Sequence, residues 1–176
     1  MKPLSTFQQV ALVLLRTAIG WHFLYEGFYK FRLPAWTPDG LPIAAWTSGG
    51  FIRAASGPLG RLARATAEAG LLPWIDKLII FGLLAAGLSL ILGLLTRAGC
   101  IGGLALLALF YLTAIPMAGA PQIGAEGTYL IINKTLIEAL AVLSLMSFDT
   151  GKIAGLDRLW ADRRSRLYTS PSLSRT

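Results

Sequence analysis

The chain has one cysteine, Cys100, and one histidine, His22, among its 176 residues. A lone thiol allows neither an intrachain disulfide nor a CxxC relay. With a single histidine beside it, a self-contained zinc site, an iron–sulfur cluster and a bis-histidine haem are excluded too. No metal site is expected, so any redox centre has to come from a bound small molecule or a partner. Charge is also scarce: 14% of residues are charged and 55% hydrophobic, which leaves too little polar surface for a soluble domain of this size. Acidic residues are the scarcest, 9 against 16 basic, giving a net charge of +7. The basic residues lie mostly outside the apolar runs and do not interleave with aromatics as base-stacking surfaces do, so nucleic acid is not an expected partner. Basic charge so placed sets membrane orientation and meets anionic headgroups of the bilayer.

What the chain does have is apolar sequence in runs of about 18 to 25 residues, enough to cross roughly 30 Å of hydrocarbon. Four spans are expected, at about 10–29, 78–95, 99–117 and 129–148. They define an all-α fold, an integral four-helix bundle of the cytoplasmic membrane. A single domain is expected over 1–160, with a basic, disordered tail over 161–176. The first run carries Arg16 and ends without a small-residue cleavage pattern, so it reads as an uncleaved helix. Thr96, Arg97 and Ala98 form a tight turn that makes spans two and three a hairpin. The long connection between spans one and two opens with LPAWTPDGLPIAAWTSGG, whose Pro, Gly and Trp content predicts irregular interfacial structure. SGPLGRLARATAEAG follows as an amphipathic helix bounded by Pro58 and Gly70. It carries Arg61, Arg64 and Glu68 on one face and lies over one end of the bundle in the first extracytoplasmic loop.

Lys152, Arg158, Arg163, Arg164, Arg166 and Arg175 after the last span, with Arg97 in the hairpin turn, put both termini in the cytoplasm. Arg32, Arg53, Arg61 and Arg64 in the longer first loop count the other way. Ala85, Ser89 and Gly93 make one ladder of small residues, and Gly99 with Gly103 another, of the kind that lets helices approach closely in lipid. Pro116 marks the exit of span three, where freed carbonyls reach water.

Ionisable residues inside the spans are confined to the first and fourth: Arg16, His22 and Glu26 in one, Lys134 and Glu138 in the other, with Asn133 beside them. Such residues face a bundle interior or a cavity and pair with one another. Depth matching at about 1.5 Å per residue predicts two cross-helix ion pairs, Arg16–Glu138 and Glu26–Lys134. Lys30, ending the GWHFLYEGFYK stretch, is expected at the outer interface. Two readings of the cluster stay open. It is a salt-bridged seam that fixes helix register, or a ligand pocket lined by His22, Glu26, Asn133 and Lys134. In the pocket reading Trp21, Tyr25 and Tyr29 supply aromatic surface, and His22 and Glu26 are the candidate acid or base.

LLRTAIGWHFLYEGFYKF resembles the first-helix motif of the DoxX family, DoxD-like branch, with its Arg, Gly, Gly and Lys falling on Arg16, Gly20, Gly27 and Lys30. GLSLILGLLTRAG is similar to that family's helical hairpin. GTYLIINKTLIEALAVL and TGKIAGLDRLW are similar to its fourth helix and C-terminal signature, so the resemblance runs from about 8 to 160. The resemblance implies a four-helix membrane protein associated with redox enzymes. The branch includes the small membrane subunit of thiosulfate:quinone oxidoreductase, which works with a separate partner subunit and passes electrons to quinone. The expected function is a membrane subunit of a redox complex that meets quinone. The alternatives are a non-catalytic membrane anchor or assembly partner of an oxidoreductase, and a small-solute transporter; a homo-oligomer is compatible with each.

Overall fold

A computed structural model describes residues 4–31, 46–115, 128–129 and 131–160. Of the irregular segment expected at 33–50, residues 33–45 lie outside the described residues, and its last two, Gly49 and Gly50, open a short helix instead. The exit of span three at 116–117, the loop 118–127 and the basic tail 161–176 also lie outside them. Helix dominates what is described: α1 (Thr6–Phe31), α2 (Gly49–Arg53), α3 (Gly60–Glu68), α4 (Leu72–Leu92), α5 (Thr96–Thr113), α6 (Lys134–Ser147) and α7 (Thr150–Ile153). A two-residue antiparallel bridge, β1 (Thr128–Tyr129) with β2 (Ile132–Asn133), precedes α6.

Local chemistry sets the helix ends. Ser5 and Gln8 cap each other's amides at the start of α1, the reciprocal S-x-x-Q arrangement. Gly93 adopts left-handed backbone (φ 61°) and stops α4, and the Leu94 amide closes back on the Ser89 carbonyl at 3.1 Å. Asn133 Oδ1 accepts the Leu136 amide at 2.9 Å and starts α6. This cap shortens the fourth span. Expected from residue 129, it is a helix of 14 residues, about 21 Å, because Tyr129 is taken into the bridge. The second span starts six residues earlier than expected, at Leu72, since Pro73 sits in the first turn, where its missing amide costs nothing.

The four long helices form a ring in which α1 packs on α4, α4 on α5, α5 on α6, and α6 back on α1. Phe23, Leu90, Cys100, Val142 and Leu145 are fully buried where they meet. The closest approach is between α1 and α4. Gly87 of α4 lies against the Gly20 carbonyl and the Leu24 amide, so a Cβ there would run into α1 backbone. Gly20 and Gly27 face Leu90, Ile91, Leu83 and Leu84 in return. Of the expected small-residue ladders, Gly103 receives the Phe23 ring and Gly99 receives the Ser89 side chain. Ala85 faces outward instead.

After α6 the chain reverses through Asp149 (φ 45°), and residues 149–160 fold under the ring. Arg16 is 3% exposed and donates from Nη1 to the Thr150 carbonyl at 2.7 Å. Leu95, at the N-cap position of α5, has no oxygen to offer. Asp157 supplies one from the other side of the turn: it accepts the Leu95 amide at 2.7 Å and the Thr96 amide at 3.0 Å, and its own amide donates to the Gly93 carbonyl. Burial works to raise the Asp157 carboxyl, but these amides and the nearby Arg16 charge outweigh it and hold it below the usual carboxylate range.

Two outcomes follow from this packing. Gly87→Ala lowers stability by about 1–3 kcal/mol. Gly102→Ala, where a Cβ meets open space, is neutral or stabilising by up to about 1 kcal/mol. Thermal unfolding in detergent compares the two. Asp157→Ala costs about 1 kcal/mol, the usual value of a helix cap. Because the folded carboxyl titrates below its unfolded value, its contribution is complete above about pH 4 and fades as pH falls through the folded value. The wild-type and Asp157→Ala unfolding curves therefore converge in acid and separate towards neutrality.

Candidate functional site

The end of the bundle away from residues 149–160 encloses a cavity of about 500 Å³ between α1, α4, α5 and α6. Its roof is α2 and α3. Asp76 of α4 holds α2 by accepting the Ser48 amide at 2.9 Å and the Ser48 hydroxyl at 2.5 Å. The turn before α3 donates the Gly57 amide to the Thr113 carbonyl and the Leu59 amide to the Leu112 carbonyl. Ile52, Leu59 and Ala63 then line the cavity from the roof, beside Leu62, which stays largely exposed. The walls are apolar, with Phe51, Phe110 and Trp46 as aromatic surface.

Into this apolar chamber α1 brings His22, Glu26 and Lys30, and α6 brings Lys134 and Glu138. The α1–α4 seam explains the presentation. At about 100° per residue, a helix with Gly20 and Gly27 turned to α4 carries His22, Glu26 and Lys30 about 200–280° round, towards α6, with the His22 and Glu26 side chains half-exposed along the cavity. Their spacing of four keeps them on one stripe.

His22 Nδ1 donates to Glu138 Oε1 at 2.5 Å, joining α1 to α6. Glu138 as a carboxylate can only accept, so the proton of this bond sits on Nδ1. Nε2 takes no part in this bond, and it faces Glu26 Oε1 at 4.0 Å. Glu26 in turn pairs with Lys30, whose ammonium lies 5.5 Å from the centre of the Trp46 ring. The result is a chain, Glu138–His22–Glu26–Lys30, running along one wall with Lys134 beside it.

Several expectations are corrected. The pair Arg16–Glu138 does not form: Glu138 is held by His22, and Arg16 turns to the Thr150 carbonyl at the opposite end. The sequence reading ended the bundle at Phe148 and so left out the chain that returns beneath Arg16. The pair Glu26–Lys134 is replaced by Glu26–Lys30, one turn away on the same helix, in the favoured Glu-before-Lys order. Lys30 lines the cavity instead of reaching the outer interface. Trp21, Tyr25 and Tyr29 do not line it. They are 62%, 55% and 39% exposed and face away from the ring, at about 100–180° from the glycine meridian. Asn133 is spent on the α6 cap. Of the expected pocket residues, the structure brings together His22, Glu26 and Lys134. It adds Glu138 and Lys30 as polar members, and Trp46, Phe51 and Phe110 as the aromatic ones.

No family model, no curated protein and no solved structure matches the chain.

Because His22 and Glu138 share one hydrogen bond across two helices, their substitutions are not additive. His22→Ala and Glu138→Gln, measured singly and together by unfolding in detergent, show a coupling of about 0.5–3 kcal/mol. Coupling within about 0.5 kcal/mol of zero would mean that the bond does not form.

Proposed function

We propose that the chain is an integral membrane protein and serves as the membrane subunit of a redox complex, meeting quinone in the cavity around His22. The membrane part draws on α4 and α5, which are long and apolar enough to cross a bilayer, yet have only 28% and 39% of their most apolar stretches buried inside the protein. The core helix of a soluble protein would be mostly buried. Here the outer surface carries Leu14, Trp21, Phe28, Leu88, Ile101 and Ile137 exposed, which suits a lipid solvent. α6 is shorter than the hydrocarbon is thick, and the β1–β2 bridge and α7 complete its two ends. With an even number of spans and Arg97, Lys152 and Arg158 grouped at one end, that end is taken as cytoplasmic.

The redox part draws on one observation: a hydrogen-bonded His–Glu pair in the wall of a largely apolar cavity of about 500 Å³, a size that suits a ring. A quinone supplies the two-electron chemistry there, with the electrons exchanged through a partner protein. The chain's residues bind and move protons. Phe51, Phe110 and Trp46 cover ring faces, and His22 Nε2 exchanges a proton with a headgroup oxygen. Glu138 on Nδ1 fixes the tautomer and steadies the imidazolium that forms after uptake. Lys30 and Lys134 offer further donors to a carbonyl, and α2 and α3 cover one side of the cavity. The first-helix residues Arg16, Gly20, Gly27 and Lys30 that resemble the DoxX motif divide between these tasks. The first three pack the bundle, and Lys30 belongs to the cavity.

A short-chain quinone analogue added to the purified protein raises its unfolding temperature, and His22→Ala weakens that binding about tenfold or more. Absence of any shift with the wild type overturns the quinone reading. An oxidoreductase that copurifies with the chain and stays fully active with His22→Ala and Glu26→Gln would assign the anchor role instead.

A further inference from the structure

The other end of the bundle holds a second cavity, about 970 Å³, between the start of α5, the end of α6 and the returning segment. No residue of the His22 cluster reaches it. One side is apolar, formed by Ala98, Leu145 and Met146, with Trp160 near the opening. The mouth carries Arg97 and Lys152, with side chains 74% and 68% exposed. Asp149 lies between them, accepting from Arg97 Nε at 3.2 Å and from Lys152 Nζ at 3.1 Å. Asp157 also lines the cavity, but its carboxylate is taken up by the Leu95 and Thr96 amides and faces Arg16, so Arg97 and Lys152 stand against Asp149 alone at the mouth, with the Arg97 Nη groups and two Lys152 hydrogens without use in this pairing. Deeper in, Thr96 and Thr150 line the cavity at 5% and 0% exposure. The Thr96 hydroxyl lies beside the Asp157 carboxylate, whereas the Thr150 hydroxyl lacks a hydrogen-bond partner among the described residues. Buried hydroxyls are almost always satisfied, so an unpartnered one in this cavity points to a ligand with an oxygen acceptor.

We infer that this cavity binds one anionic phospholipid, its phosphate held by Arg97 and Lys152 and its glycerol and ester region set against Thr96 and Thr150. The depth suits this occupant. The α4–α5 turn and the end of α6 lie where helices leave the hydrocarbon, and headgroup phosphates sit at that level. Basic pockets between spans on the cytoplasmic side select anionic headgroups for the same reason. A free phosphate would use the cations but gain nothing from Leu145, Met146 or Trp160. A zwitterionic lipid brings a choline charge that meets like charge at the mouth. The inference rests on the membrane reading alone and is independent of the quinone cavity.

The test uses the full chain in detergent with phosphatidylglycerol, phosphatidylcholine or inorganic phosphate added. Phosphatidylglycerol raises the unfolding temperature in a saturable way and stays bound in native mass spectrometry, one per chain. Each of Arg97→Ala and Lys152→Ala weakens it about fivefold, and both together about 25-fold. Both side chains are largely exposed, so the variants keep the wild-type unfolding temperature in plain detergent. Arg97→Lys keeps the charge, retains most of the binding and guards against a folding artefact. A brominated phosphatidylglycerol quenches indole fluorescence less in Trp160→Phe than in the wild type, which places the lipid without touching the cations. Equal protection by phosphatidylcholine would reduce the effect to general solvation. Equal protection by inorganic phosphate would make the site one for a soluble anion. Unchanged affinity in the double variant would remove the proposed contacts. Any of these overturns the inference, and recovery of the chain in the soluble fraction would instead remove the membrane reading beneath it.

Discussion

The close approach of α1 and α4 is the constraint on which the rest of the arrangement depends. Gly87 admits no Cβ because the Gly20 carbonyl and the Leu24 amide occupy that space, so the two helices meet backbone to backbone. Such contact fixes rotation as well as distance. Once the glycine meridian of α1 is turned to α4, the other faces of α1 have no freedom left. Phe23 must enter the core against Gly103, His22 and Glu26 must face α6, and Trp21 and Tyr25 must face out. This steric choice decides which residues of α1 meet the cavity and which face outward.

The two ends of the ring then solve different problems. At one end the returning segment supplies what the helices lack: a carbonyl for the buried Arg16 guanidinium and a carboxylate for the uncapped amides of α5. Arg16 and Asp157 lie close enough to interact, so a buried cation and a borrowed cap balance each other's charge. At the other end the polar groups are not consumed in this way. His22 and Glu138 hold each other, Glu26 and Lys30 hold each other, and an apolar chamber is left open beside them. A seam would have filled that space with side chains. The answer to whether the polar cluster is seam or pocket is that it is both, with the ion pairs forming one wall.

The helical character and the long apolar runs were legible in the sequence, because periodicity and composition report them directly. The confinement of charge to the first and fourth spans depends on the span bounds: α4 begins early enough to include Asp76 and Lys77, and α5 carries Arg97 in its first turn. The glycine face was legible as well, and carried further it gives the orientation of the aromatics. Gly20 and Gly27 lie on one meridian, and Trp21 and Tyr25 are about a quarter turn or more off it, away from the interior. What the sequence obscured was pairing. Depth matching treated residues 129–148 as one straight helix, and Asn133 breaks that assumption by capping α6. It also ignored competition from neighbours on the same helix, where Lys30 reaches Glu26 more cheaply than Lys134 does across a gap. The clasp by Asp157 left no periodic signal, since an isolated Asp in a short polar segment has no spacing to read.

His22 is the residue whose meaning changes most. A lone histidine within a membrane span is usually explained by a single hydrogen bond, and His22 has one. Its partner, however, is the Glu138 carboxylate, and its second nitrogen faces Glu26. A histidine that only tied α1 to α6 would need no second acidic neighbour and no adjoining space, and a hydroxyl or amide would hold Glu138 at lower desolvation cost. An imidazole between two carboxylates, with a charge-paired lysine below and an aromatic-lined cavity in front, places a titratable group where α1, α6 and the cavity meet. The roof of α2 and α3 strengthens this argument. It costs the chain two extra helices and the Asp76–Ser48 bonds, and its inward face is apolar. The cover thus sets an apolar surface opposite the polar wall that His22 and Glu26 form.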